Sequence, residues 1–245
     1  MIEAKKDIMM ILKKTVLFIL LSFFISYVCS ADTNTVQLWQ KLEHSIRDAK
    51  IPKIEAKKEI QELSEKFRQH LSILDFESAS FDKWIFPLAG YDHGAIDKKG
   101  FIIKGYNFFD GNKHGGHPAY DIYIKDKNQD MLDDKTKKPV ETRSISSGMV
   151  ISINTGWKRK SGLRGGNYIY IYDDISNYIF YYAHLNNIFV KTGQLVKAGD
   201  IIATLGRSGK NAFPRRSPTH LHLMVLDAKT MQPVDILKRL EKLNN

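Results

Sequence analysis

Apolar positions in the first third of the chain recur at helical steps. Val36, Trp39, Leu42 and Ile46 are spaced by three or four residues, and Ile60, Leu63, Phe67 and Leu71 repeat the spacing after Ile51-Pro52 breaks the run. Side chains three and four apart share one helix face, so residues 32–74 read as a two-helix hairpin with one apolar stripe per helix. Such stripes face a core, and roughly 40 residues are too few to fold alone. The hairpin therefore reads as a packing or spacer element. From Phe76 the texture changes. Ala119–Ile124, Gly148–Ile153, Asn167–Tyr172, Tyr178–His184 and His220–Leu226 are rich in Tyr, Ile and Val, with Gly, Asn and Asp between them. This strand-and-turn pattern predicts a mainly β domain with an antiparallel sheet. In the tail, Leu237, Leu240 and Leu243 predict a short helix within Pro233–Leu243. No internal repeat and no low-complexity linker interrupts the chain.

The most apolar stretch lies ahead of the hairpin. A Lys-bearing start is followed by an apolar run from Thr15 to Val28 and then by Cys29-Ser30-Ala31. That run is shorter than the roughly 20 residues of a spanning helix, and the order of segments is that of a cleavable export signal, cut after Ser30 or Ala31. Met9 or Met10 is an alternative start. Cys29 leaves with the signal, or carries a lipid anchor, although Tyr27 and Val28 are bulky for a lipidation site. The expected division is residues 1–30 as signal, 31–78 as helical segment, 79–236 as the β domain and 237–245 as helical tail.

Composition narrows the chemistry. The 245 residues carry 37 Lys and Arg against 27 Asp and Glu, a net charge of +10. Removing the signal, with four Lys and two acids, leaves +8 by 10 − 2. An anionic partner fits such a chain; export disfavours nucleic acid and favours wall polymer. The single cysteine excludes an internal disulfide and any zinc site built on two thiolates. A metal here must rest on His, Asp or Glu.

Four of the eight histidines stand in informative settings. In Thr219-His220-Leu221-His222-Leu223 the histidines alternate with leucines, so on a strand both imidazoles share a face. They suit a metal ligand plus a proton-handling neighbour, or a pair of surface histidines. Gly115-Gly116-His117 suggests a tight loop feeding a strand that holds Asp121. Two imidazoles and one carboxylate with an open fourth position is catalytic zinc chemistry, and the resulting net +1 lowers the pKa of bound water and polarises a carbonyl.

His117-x-x-x-Asp121, then Tyr182-Ala183-His184-Leu185, then His220-x-His222 resembles the lysostaphin-type peptidoglycan endopeptidases. Phe86-Pro87-Leu88, Asn167–Ile171, Val190–Asp200 and Gly206-Arg207-Ser208-Gly209 resemble further segments of that family, over about residues 80–236. The resemblance implies a small antiparallel sheet whose groove is floored by one zinc ion held by His117, Asp121 and His222, with His184 and His220 as the catalytic pair. It implies a secreted zinc endopeptidase that acts on peptidoglycan stems or cross-bridges in the periplasm or cell envelope, with no nucleic acid partner and membrane contact only through the signal or a lipid at Cys29. Pro118-Ala119-Tyr120, an insertion at Asp126–Asp134 and a longer loop at Asn211–Ser217 depart from the usual pattern. The alternative is a catalytically silent relative that regulates another wall hydrolase; a plain polysaccharide-binding module leaves five placed polar residues unexplained. Two readings of residues 31–78 stay open beside the packing one: an inhibitory pro-segment that blocks the groove, or an element that docks the enzyme to a partner.

Other candidates are weaker. Asp126, Asn128, Asp130 and Asp134 place oxygens like a calcium loop, but Met131 holds the usual Gly position and Lys137 the usual Glu position, so a solvated acidic loop is the plainer reading. Gly162, Gly165 and Gly166 among Lys158, Arg159, Lys160 and Arg164 read as a mobile basic groove edge that steers an anionic polymer, since no phosphate-loop Lys-Ser/Thr pair follows. His114 reads as a loop histidine near the groove, and His44, His70 and His93 as surface or packing residues.

Overall fold

The computed structural model describes residues 34–73 and 84–243. The proposed export signal and Cys29 lie outside the described residues. Helix α1 (34–47) and helix α2 (Lys53–Ile73) form the expected hairpin, with Ile51-Pro52 in the turn between them. Eight strands follow: β1 (Tyr120–Tyr123), β2 (Glu141–Arg143), β3 (Gly148–Asn154), β4 (Asn167–Asp173), β5 (Tyr178–Ile188), β6 (Leu195–Val196), β7 (Ile201–Leu205) and β8 (His220–Asp227). The short helix α3 (Leu237–Leu240) ends the described chain.

The sheet is antiparallel throughout, in the order β1-β8-β5-β4-β3-β6, with β7 pairing both β2 and β5. Alternation along each strand divides the apolar residues between two faces. Ile169, Ile171, Phe180, Tyr182, Leu221, Leu223 and Val225 enter one core together with Trp84, Phe86 and Leu88. Met149, Ile151, Tyr168, Tyr170, Tyr172, Ile179, Met224 and Leu226 enter the other, which they share with Val36, Trp39, Leu42, Ile46, Ile60, Phe67 and Leu71 of the hairpin. Both apolar stripes read from the sequence thus lie on the sheet. Trp39 meets Tyr170 edge-on at 5.6 Å and Phe67 meets Tyr172 at 5.9 Å.

Polar pins fix the hairpin on β3 and β4. Glu43, only 3% exposed, accepts from Tyr168 Oη at 2.9 Å and from Ser152 Oγ at 2.9 Å. Arg47 donates to Asn154 Oδ1, Tyr168 Oη and both oxygens of Asp48. Gly111, at φ +54, lies against the C-terminal end of α1; a Cβ there would fall 2.2 Å from the Ile46 carbonyl oxygen. Only glycine admits that approach.

The sequence pattern misses β2, β6 and β7 as strands, because runs of two to five residues carry little periodic signal. The tail helix is shorter than expected. Pro233 bridges Leu226, and Val234 donates to the Val225 carbonyl, so the start of the segment extends β8's edge before the helix begins.

Candidate metal centre and groove

Four separate elements deliver the polar residues to the sheet face that carries the hairpin. In β8, His220 and His222 share that face, as their spacing requires. Asp121 of β1 pairs directly with His222, and Tyr123 with His220. His117 sits in an isolated bridge with Ile102 just ahead of β1. Gly116 before it adopts φ +66, where a Cβ would meet the Ile102 and Lys104 carbonyl oxygens at 2.7 and 2.9 Å. The glycine read as a tight-loop signal is thus a close backbone crossing.

His184 arrives by an irregularity. Tyr168 pairs with Ala183 and Asn167 with Leu185, so His184 is the extra residue of a β-bulge, at φ +67. Bulges re-aim a side chain next to functional sites, and a positive φ in a non-glycine residue stores strain. The result brings the His184 ring 4.8 Å from His220 and 5.6 Å from His222, centroid to centroid.

Three ligand atoms converge. His117 Nε2 lies 3.1 Å from His222 Nδ1 and 3.3 Å from Asp121 Oδ1, and His222 Nδ1 lies 3.1 Å from Asp121 Oδ1. A tetrahedral ion with ligand bonds of about 2.05 Å holds its ligand atoms about 3.3 Å apart, so the donor set fits one zinc-sized cation. Among the described residues this is the only trio of His, Cys, Asp or Glu that converges in this way. The His117 Nδ1 proton is donated to the Gly100 carbonyl at 2.8 Å, which leaves the Nε2 lone pair on the cluster. The same device orients the other two imidazoles. His184 Nδ1 meets the Ser208 carbonyl and His220 Nδ1 the Pro218 carbonyl, each at 2.8 Å, and His220 Nε2 stands 3.6 Å from Asp121 Oδ2.

The electrostatics follow from burial and charge. Burial pushes the Asp121 carboxyl up, but hydrogen bonds from His117 and His222 outweigh it and hold the group far below the usual carboxylate range. Burial, reinforced by His220 and His222, drives His184 well below the ordinary imidazole value, so it stays neutral. Burial also lowers His222, while at His117 the adjacent carboxylate overcomes burial and raises the imidazole.

A recess opens from this cluster across the sheet. His117, His184 and His222 line one end; Glu43, Ile46 and Arg47 of α1 line the other. Tyr106, Tyr170 and Tyr181 lie between, with Arg164 at the side. The tyrosines were not foreseen from the sequence, and a helical segment lying over the groove was only one of two open readings. One signal was present: Glu43 falls four residues after Trp39, on the apolar stripe. His114 is at the rim, its ring 4.8 Å from Tyr106. His44 is half-buried beside Glu43, and His93 is exposed at the start of a single 3-10 turn, His93–Ala95.

The acidic loop has a different use from a calcium cage. Asp126 is buried; its Oδ1 accepts from the Asp130 amide, and its Oδ2 accepts from the Met131 amide and from Thr219 Oγ1 at 2.7 Å. Asp130 accepts from the Leu132 amide and from Asn128, and Asp134 from the Lys127 amide. These carboxylates serve the loop's own backbone, and Asp126 braces Thr219 next to His220. In the basic edge loop, Arg159 stacks over Phe213 at 4.2 Å, and Arg164 Nη1 donates to the His114 carbonyl at 2.7 Å.

Part of the chain is similar to known proteins. Residues 131–236 match Peptidase family M23. The match begins downstream of His117 and Asp121, so those two rest on geometry alone. An L-Ala--D-Glu endopeptidase of Bacillus subtilis is 39% identical over 71 residues, 27% of this chain and 20% of that protein. A peptidoglycan DD-endopeptidase of Vibrio cholerae is 44% identical over 73 residues, 30% of this chain and 15% of that protein. The chain thus spans about a fifth or less of the length of these curated relatives. Among solved structures, the catalytic domain of lysostaphin from Staphylococcus simulans aligns with 58% of this chain and 91% of its own at 25% identity, with a TM-score of 0.40.

Proposed function

We propose that this chain, which carries a domain of the metallopeptidase family M23, is an exported zinc-dependent endopeptidase that hydrolyses peptide bonds of bacterial peptidoglycan. The convergence of His117 Nε2, Asp121 Oδ1 and His222 Nδ1 within 3.1–3.3 Å, flanked by two oriented imidazoles, carries the reading. Zinc, when bound, supplies Lewis acidity and an activated water at neutral pH. The protein's own groups do the rest. His184 is neutral, and with its Nδ1 proton committed to the Ser208 carbonyl it offers the Nε2 lone pair. It suits the transfer of a proton from water to the leaving amine. His220, fixed by the Pro218 carbonyl, suits hydrogen bonding to the substrate oxygen as charge develops there.

Peptidoglycan as substrate is supported by relatives named for two of its peptide bonds. Export is supported by the signal-like segment and the cysteine-poor chain. The filled ligand set argues for a live site over a silent regulator. The test is digestion of purified sacculi of both diaminopimelate-linked and glycine-bridged types, with released muropeptides identified by mass spectrometry. Zinc-loaded protein should release them, while the chelated protein and His222→Ala should not. No release by zinc-loaded protein from either wall overturns the reading.

A further inference from the structure

Two loops that wall the recess at His184 also border a second cleft. Leu163, Arg164 and Gly165 of one loop and Asn211 of the other line the recess together with His184 and His222. Trp157 and Arg159 of the first loop and Lys210, Phe213, Pro214 and Arg215 of the second line an open cleft of about 380 Å³. The His184 amide donates to the Gly165 carbonyl at 3.0 Å, and the Lys210 amide to the Leu163 carbonyl at 2.9 Å. A step between hydrogen-bonded backbones is about 4.8 Å and a step along an extended one about 3.4 Å, so this path keeps the backbone of the cleft within roughly 17 Å of that of His184. An extended peptide covers that distance in about five residues.

The cleft is braced from behind. Arg207, 7% exposed, donates to Thr219 Oγ1 at 2.9 Å and to the Phe213 and Pro214 carbonyls at 3.4 and 3.2 Å. Gln129 Nε2 donates to the Arg215 and Ser217 carbonyls at 2.9 and 3.2 Å. Segments 126–134 and 211–217, both departures from the family pattern, thus hold one another and present Phe213, Pro214 and Arg215. On the opposite loop the Trp157 amide donates to Asn167 Oδ1 at 3.0 Å, and the indole stands 5.7 Å from the Phe213 ring.

The charge of the cleft has one sign. Arg159, Lys210 and Arg215 line it, no carboxylate does, and none of the three forms an ion pair among the described residues. Like charges gathered around one cleft repel, and an anion between them relieves the repulsion. The Arg159 guanidinium lies over Phe213, 4.2 Å from the ring centroid. A guanidinium seated on a ring by its face keeps its N–H edge for a ligand, and that fork of donors matches the two oxygens of a carboxylate.

We propose that this cleft is a specificity subsite for a free carboxylate on the substrate peptide, within about five residues of the bond cleaved. The proposal deepens the hydrolase reading and rests on it. Arg159, Lys210 and Arg215 are the specificity residues, and Phe213, held through Arg207, positions Arg159. None of them belongs to the metal cluster, so the subsite acts on KM and leaves kcat unchanged.

The test uses the full zinc-loaded chain and a synthetic cross-linked pair of stem peptides, prepared with every carboxyl free and with each carboxyl in turn converted to the carboxamide. One of the amidations should lower kcat/KM about tenfold, through KM, the scale of two or three exposed charge pairs. Calorimetry with the zinc-loaded His220→Ala chain should show the same acid-over-amide ratio in binding. Arg159→Gln and Arg215→Gln change exposed side chains, so the fold is kept. Each should weaken the free acid severalfold and leave the amide unchanged. Phe213→Leu, which removes no charge, should also narrow the ratio. Equal binding of the free and all the amidated forms overturns the subsite, as does a ratio that these variants leave intact. Variants that lose only sedimentation with walls bearing a phosphate polymer, the peptide ratio being unchanged, overturn it in favour of that polymer. In each of these cases muropeptide release leaves the hydrolase reading standing. A preference for the acid that the variants abolish, without cleavage of any peptide or wall by the unsubstituted chain, supports the subsite and overturns the hydrolase reading.

Discussion

At His184 function and backbone strain meet in one residue. Its φ of +67 lies in the left-handed region, which costs a side-chain-bearing residue about 1–2 kcal/mol relative to glycine. Two truncations separate chemistry from strain. His184→Gly and His184→Ala both remove the imidazole, so both should abolish muropeptide release. In denaturant melts, however, the glycine variant should be the more stable by about 1 kcal/mol, the reverse of the order at an ordinary strand position. His220→Ala separates binding from catalysis. His220 is not one of the converging ligand atoms, so metal analysis should still find one zinc per chain while activity falls by two orders of magnitude or more. Full digestion of sacculi by that variant would remove His220 from the mechanism. The alternation of His220 and His222 was legible because a period of two is local. The bulge that aims His184 was not, because it belongs to the pairing of β5 with β4 rather than to either sequence.

Helix α1 combines an apolar stripe with one buried acid, and the acid makes its docking depend on pH. Burial is the main cause that pushes the Glu43 carboxyl up to about 7 from an ordinary value of 4.5, against the opposing effects of Arg47 and of hydrogen bonds from Tyr168 and Ser152. The folded chain therefore holds this proton more tightly than the unfolded chain does. Glu43's contribution to stability is complete below pH 4.5 and is lost as pH rises through 7, by up to about 3 kcal/mol. Glu43→Gln keeps a neutral hydrogen-bonding side chain there. Its melting temperature should track the wild type at pH 5 and exceed it at pH 8.5; parallel curves at both pH values would show that the carboxyl is not protonated in the fold. The loop at Gly111 gives a second test. A Cβ set 2.2 Å from the Ile46 oxygen has nowhere to go, so Gly111→Ala should cost about 1–3 kcal/mol and loosen the recess wall. The helical spacing of Trp39, Leu42 and Ile46 announced this element. Its place beside the catalytic groove was not announced, because the contacts with Tyr168, Ser152 and Gly111 join residues far apart in sequence.

For the molecule as a whole, the question is whether the hairpin is a removable cover or part of the catalytic body. The second core answers it. Trp39, Ile46, Ile60, Phe67 and Leu71 are each at most 3% exposed, and opposite them Met149, Ile151, Tyr168, Tyr172 and Leu226 are each at most 2% exposed. Departure of the hairpin would bare one face of the sheet from β3 to β8. A contiguous apolar surface of that kind is an aggregation hazard, and at about 1.5–3 kcal/mol per large side chain the loss exceeds the stability of an ordinary domain. An inhibitory segment behaves differently, since its removal leaves a soluble and faster enzyme. A chain lacking residues 34–73 should accordingly be insoluble or molten, with lost near-ultraviolet circular dichroism and no activity on sacculi. A soluble, folded and more active product would instead make the hairpin a cover. The same architecture sets where charge acts: Lys158, Arg159 and Lys160 are exposed on the loop that continues into Leu163 and Arg164 of the recess lining. Attraction between that edge and an anionic wall is screened over about 8 Å at physiological salt. Replacing Lys158 and Lys160 with serine should therefore weaken sedimentation with sacculi at low salt and leave little difference at about 0.5 M salt, while cleavage of a small uncharged peptide stays unchanged. An equal loss at both salt concentrations would place these lysines in direct contact with substrate rather than in long-range steering.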